Sequence, residues 1–304
     1  MENLIKVWDK FWFSRFDPVS VSIYRILLGF LMFIFYLASY TNWERFYAYN
    51  GIFSLDPNTL TTMDWWSIFS YTEKYVPVKL FWWVGCISTI AFTAGYKTRL
   101  ATVILFILQS SMNSRDSIAV NGEDLIFRMV LFYSCFSPLG YCLSVDSYLK
   151  KKSGKVLNTV SELPLIWAVR SMQINIAMIY LVNIPNKLTD DFAWINGEAI
   201  YWTMANNMWS REIFTDWFYK WNCLLSKIAS YGTLFVEGSF PFLVCIQSTK
   251  LFSVISLMLL HIGITFLIPN VTFFTLSMVC ALWVFIPPEI TRKILLKANL
   301  AKFI

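Results

Sequence analysis

The sequence predicts an all-α integral membrane protein, a bundle of about eight transmembrane helices, and three observations carry that prediction. Of 304 residues, 57% are hydrophobic and only 14% charged, where a soluble domain carries about 25% charged residues. Mean hydropathy is +0.54, an apolar excess that a soluble core of this size has no room to hide, so lipid must cover it. The apolar residues also fall in long runs, and a bilayer core needs roughly 20 of them per helix.

In chain order, residues 1–16 read as an interfacial helix rather than a cleavable signal, because charges and aromatics are mixed and no apolar core precedes a small-residue site. Leu4, Trp8, Phe11 and Trp12 share one helical face, with Lys6 and Lys10 elsewhere on it. Spans are expected near 19–40, 79–96, 99–113 and 124–143, then near 164–184, 231–248, 251–268 and 271–288. A cytoplasmic tail is expected over 289–304. The whole reads as one transmembrane domain. Spans two and three abut at Gly95-Tyr96-Lys97, which predicts a tight hairpin. Two connections are rich in tryptophan: Trp43, Trp65 and Trp66 in one, and Trp194, Trp202, Trp209, Trp217 and Trp221 in the other. Tryptophan at that density marks a membrane–water interface, so interfacial helices are expected there.

Orientation follows from the basic residues. With the N-terminus in the cytoplasm, fourteen Lys and Arg fall on the cytoplasmic side and eight on the outer side, although the outer connections are longer. This satisfies the positive-inside rule with both termini cytoplasmic. The net charge of +6 is then an orientation device facing anionic lipid, and nucleic acid is not needed to explain it. The six cysteines form no CxxC, and most sit in apolar segments as small hydrophobes. No spacing of metal ligands is visible, so no metal is predicted.

Charge inside a bilayer is costly, so intramembrane ionisable residues need partners and mark functional candidates. Arg25 and Arg170 lie about two turns in from the cytoplasmic ends of spans one and five, within snorkelling reach, and a structural role is expected for each. The outer half is richer. Glu123 and Asp124 open span four, with Arg128 one turn after Asp124 on the same face. Glu237 lies in span six, and His261, the sole histidine, near the middle of span seven. Lys187 is expected just after span five ends at Ile184-Pro185. Each has a plainer reading: an Asp124–Arg128 bridge, a Glu123 helix cap, a snorkelling Lys187 and an interhelical hydrogen bond at His261.

Three segments carry a resemblance: FDPVSVSIYRILLGFLMFIF at 16–35, SSMNSRDSIAVNGEDLIFRMVLFYSCFSPLGYCLSVD at 110–146, and RSMQINIAMIYLVNIPNKLTDDFAWINGEAIYW at 170–202. Together they resemble the HTTM superfamily, the transmembrane domain shared with vitamin K-dependent gamma-carboxylases. In those enzymes a lysine deprotonates vitamin K hydroquinone, oxygenation yields a strongly basic alkoxide, and carbon dioxide adds to a glutamate carbanion. The resemblance puts that lysine in a Lys-Leu pair, here Lys187, with Glu123, Asp124, Arg128, Glu237 and His261 lining the pocket.

It also implies a reduced, vitamin K-like quinone as cofactor, membrane lipid around the bundle, and a secreted peptide or small protein as partner. Localisation would be a bacterial plasma membrane. Two departures stand out: Glu123 replaces a family histidine, Asn186 a second lysine. The large outer domain of the mammalian type is not expected after the last span. Two functions follow. One is a carboxylase- or epoxidase-like lyase acting on an exported peptide or other outer-side substrate. The other is a non-catalytic membrane subunit for maturation or export of a secreted peptide toxin, similar to the sporulation-delaying toxin system.

Overall fold

Helices account for nearly all the regular structure, as the long apolar runs require. A computed structural model describes residues 2–48, 51–52, 67–69, 77–115, 120–154, 163–189, 192–206 and 222–299. Among them there is no strand, only one isolated antiparallel bridge between Arg15 and Leu165. The chain divides into two units, Met1–Arg170 with Pro288–Ile304, and Ser171–Pro287.

The first unit opens with α1 (Glu2–Phe13), whose Trp8, Phe11 and Trp12 rings pack on one another. Helix α2 (Val19–Ser39) follows, then α3 (Trp43–Tyr47), α4 (Val78–Ala94), α5 (Thr98–Arg115), α6 (Gly122–Phe136) and the short α7 (Val145–Lys152). Helix α14 (Pro288–Lys297) returns to pack on α2, where Ser20 and Thr291 hydroxyls meet at 2.9 Å. Glycine lets α2 and α4 approach closely. A Cβ at Gly29 would stand 2.3 Å from Thr93 Oγ1, and one at Gly85 would stand 2.1 Å from the Tyr36 ring. Small residues at helix crossings are the means by which bundles pack in lipid, where no hydrophobic force draws helices together.

The expected hairpin is there. Helix α4 stops at Ala94, Gly95 takes φ +70°, and α5 starts at Thr98. Beneath it lies Arg25, fully buried. Its guanidinium donates to Leu139 O at 2.7 Å and also to Leu143 O. It therefore does not snorkel; it ties down the turn after α6. That turn corrects the fourth span, which ends at Phe136 rather than 143, because Pro138 ends the helix. Asp146 completes the knot, accepting from Lys97 N, Thr98 N and Thr98 Oγ1 at 2.7–2.9 Å. Arg170 sits 5.0 Å over the Phe11 ring.

Trp43 also departs from expectation. It is fully buried and donates through Nε1 to Val78 O, so it anchors α3 to α4 rather than marking an interface. Trp65, Trp66, Trp209, Trp217 and Trp221 lie outside the described residues.

The second unit takes most of α8 (Trp167–Thr189), then α9 (Phe192–Ile195), α10 (Ala199–Ala205), α11 (Asn222–Leu243), α12 (Lys250–Leu267) and α13 (Thr272–Leu282). A 3-10 turn at Trp283–Phe285 follows, and Gln173 donates to Val284 O inside it. Helix α12 packs between α11 and α13. Several boundaries move: α11 ends at Leu243 rather than 248 and α13 at Leu282 rather than 288, and two shifts bear on the site. Helix α11 begins nine residues before the expected 231, and α8 runs through Pro185 to Thr189.

Each of the eight expected spans coincides with a helix. By length and hydropathy two described helical stretches are able to cross a membrane, Val19–Tyr47 and Lys250–Leu267, or three if the bent pair Pro269–Phe285 and Pro288–Lys297 is one span. The chain is an all-helical membrane protein.

Candidate functional site

Lys187 belongs to a helix, contrary to its expected place in a loop. Pro185 lacks the amide that would bond Leu181 O, yet α8 continues past it, and Thr189 Oγ1 donates back to Pro185 O at 3.0 Å. Tyr180, Ile184 and Lys187 thus line one face at i, i+4 and i+7. Opposite them on α11 are Glu237, Gly238 and Phe240. A Cβ at Gly238 would sit 3.6 Å from Ile184, so the two helices meet at that level.

Two polar pairs are stacked along this seam. In the first, Lys187 Nζ donates to Glu237 Oε2 at 2.6 Å, with side chains only 17% and 6% exposed. The ammonium also lies 4.3 Å from the Trp194 ring centroid, within cation–π range. In the second, Tyr180 Oη and His261 Nε2 are 2.7 Å apart, and both residues are buried. The Tyr180 ring packs edge-on against Phe240 at 5.3 Å, three residues beyond Glu237, and Phe274 flanks the His261 ring at 6.1 Å. His261 Nδ1 is buried without a hydrogen-bond partner among the described residues, an arrangement that costs free energy unless another polar group meets it. Pro241, inside α11, withholds the amide that Glu237 O would otherwise accept from.

Chemically, the first pair holds a donor and an acceptor that both exchange protons, shielded by an indole. The second holds a phenol and an imidazole with one ring nitrogen open. The HTTM resemblance singles out Lys187, and rarity of charge in apolar spans Glu237 and His261, without pairing any of them. Both missed Tyr180 and the contact role of Trp194. The signal for Tyr180 was its place two turns before Lys187 on one helical face.

Glu123, Asp124 and Arg128 lie in the first unit, on α6. Asp124 caps that helix, accepting from Asn121 N at 3.1 Å, and receives Gln109 Nε2 at 3.1 Å. Asn113 Nδ2 donates to the Asp124 carbonyl at 2.9 Å. The expected bridge from Asp124 to Arg128 is not among the ion pairs of the described residues, and Glu123 is not the capping carboxylate. A capped helix start binds its carboxylate to fixed amides, so Asp124 is structural in its local setting.

The family model for the HTTM domain matches residues 13–289, running through both units. The chain belongs to the HTTM domain family. No curated protein and no solved structure matches it. The HTTM match covers all six expected site residues and also Tyr180 and Trp194.

Proposed function

We propose that this HTTM protein is a multi-pass, carboxylase-like membrane enzyme with Lys187 as general base, acting on a reduced quinone and an exported peptide or other outer-side substrate. The observation that carries it is the shielded Lys187–Glu237 contact at 2.6 Å. Eight crossings with both termini cytoplasmic belong to the same reading, supported by the eight coincident helices and the basic bias. So does a bacterial plasma membrane as the location.

The residues present suit a reduced quinone. His261 Nδ1 is an open polar atom among the rings of Tyr180, Phe240 and Phe274, and an apolar pocket with a few convergent polar groups is the usual form of a cofactor site. A bound reduced quinone supplies, with oxygen, the strong base that removes an unactivated proton. The chain's own residues do the rest. Lys187 becomes a free amine by passing its proton to Glu237 Oε2, and then takes a new proton at Nζ. Trp194 covers the ammonium and keeps water from it. Tyr180 holds the His261 ring so that Nδ1 stays open.

Replacing Lys187 by alanine would strand the buried Glu237 carboxylate, so Lys187→Arg is the cleaner test. Arginine keeps the cation and the stacking but does not give up its proton. With reduced vitamin K, oxygen and labelled bicarbonate, the wild type is expected to form epoxide and to label an exported peptide. The variant should lose about 10²–10⁴-fold of that rate, while mass spectrometry of both purified proteins shows the same retained quinone. Equal rates in both proteins would overturn the reading. A stable complex with a small secreted-peptide partner alongside equal rates would make the chain a non-catalytic maturation or export subunit.

A further inference from the structure

The first unit holds a second, chemically different recess. A cavity of about 670 Å³ opens where the α5 N-terminus, the turn after α6, α7 and the start of α8 come together, within the roughly 300–1,000 Å³ typical of ligand sites. Two cations line it, Arg99 and Lys150. Arg99 spends only its Nε, donating to Cys135 O at 3.3 Å, and its two terminal nitrogens have no partner among the described residues. The Lys150 ammonium lies 5.5 Å over the Tyr141 ring and pairs with no carboxylate among the described residues. One carboxylate, Asp146, also lines the wall, but three donors from Lys97 and Thr98 occupy it. The hydroxyls of Thr98, Thr102 and Ser137 already donate elsewhere, to Asp146, to Thr98 O and to Tyr133 O. Arg99 and Lys150 are thus the cationic donors along the wall that keep capacity to spare among the described residues, with the Tyr141 phenol beneath the ammonium. An apolar ledge leads out of the cavity, built by Phe136 and Trp167, which are 45% and 39% exposed with ring centroids 5.9 Å apart.

We propose that this cavity binds an anionic phospholipid, its phosphate between Arg99 and Lys150 and its acyl chains along Phe136 and Trp167. The arrangement joins unspent donors suited to a phosphate, fork-shaped in Arg99 and point-like in Lys150, to an exposed tryptophan, the residue type enriched where headgroup meets chain. Basic pockets beside helix ends on the cytoplasmic side take such headgroups. The site uses no residue of the Lys187 seam and stands or falls apart from it.

The full chain in neutral detergent provides the test, by native mass spectrometry and thermal shift. Phosphatidylglycerol is expected to give a one-to-one adduct and a stabilising shift, where phosphatidylcholine gives neither. In Arg99→Gln/Lys150→Gln, affinity should fall about thirtyfold, from the sum of two interfacial charges. Lys151→Gln removes one charge from the same helix outside the cavity and should leave binding within about twofold of wild type. Arg99→Lys/Lys150→Arg retains both charges and should retain the adduct, which guards against a variant that merely misfolds. Equal binding of phosphatidylcholine, or loss in Lys151→Gln as large as in the double variant, would overturn the proposal. So would inorganic phosphate or glycerol phosphate that matches the lipid, since the ligand would then be soluble phosphate.

Discussion

Arg25 in the first unit and Lys187 in the second are both cations inside helices, and they are held in opposite ways. Arg25 is fully buried and faces backbone carbonyls, Leu139 O and Leu143 O. A guanidinium gives up no proton and a carbonyl takes none, so that network has nothing to transfer. Lys187 faces a carboxylate across 2.6 Å, beneath an indole. Both members of that ion pair are ionisable side chains, and a buried His261 Nδ1 without a partner among the described residues belongs to the same unit. Burial of a charge therefore does not by itself distinguish the two. The partner's chemistry does: a carbonyl dipole can only clamp, whereas a carboxylate is also able to accept a proton.

The comparison is sharpened most by Glu237→Gln. The amide keeps a hydrogen bond to Lys187 but accepts no proton, so turnover should fall by about 10²–10⁴-fold, far more than the loss of stability from leaving the ammonium without its counter-charge accounts for in protein that remains folded. Unchanged turnover would put Glu237 in the same structural class as the carbonyls around Arg25. Arg25→Lys should do the reverse. It loses the two-pronged grip on Leu139 O and Leu143 O, which should cost about 2–4 kcal/mol in reversible SDS unfolding, without a selective effect on turnover. A third cation sets the lower end. Arg292 donates to Asp17 at 2.6 Å, but its side chain is 44% exposed. Arg292→Gln should cost less than about 1 kcal/mol, shrinking further in high salt.

Much of the helical order was legible because lipid exposure writes apolar runs directly into the chain. The hairpin at Gly95-Tyr96-Lys97 was legible because glycine there takes the left-handed conformation that ends α4. What stayed hidden depends on partners from other helices. Spacing placed Arg128 beside Asp124, but Gln109 and Asn121 from outside that face hold the carboxylate instead. Pro185 reads locally as a stop, yet α8 passes through it, which places Lys187 on the Tyr180 face. Trp43 matched the interfacial composition rule while being committed to Val78 O in the core. At the site, Glu237 and His261 stood out because ionisable residues are rare in apolar runs, whereas Lys187 reads as a loop lysine and stood out only through the HTTM resemblance. Tyr180 and Trp194 did not, because aromatic residues there are common.

Gly95 carries a consequence that reaches across the chain. A Cβ there would stand 2.6 Å from an Arg25 guanidinium nitrogen and 2.4 Å from Ser144 Cβ, at a φ that already favours glycine. Three positions far apart in sequence thus share one small volume: a side chain at 95 is barred by its own backbone angle, by Ser144 Cβ and by the Arg25 guanidinium together. Among HTTM relatives, a residue other than glycine at 95 is expected only where positions 25 and 144 both carry smaller side chains and the turn takes another backbone angle.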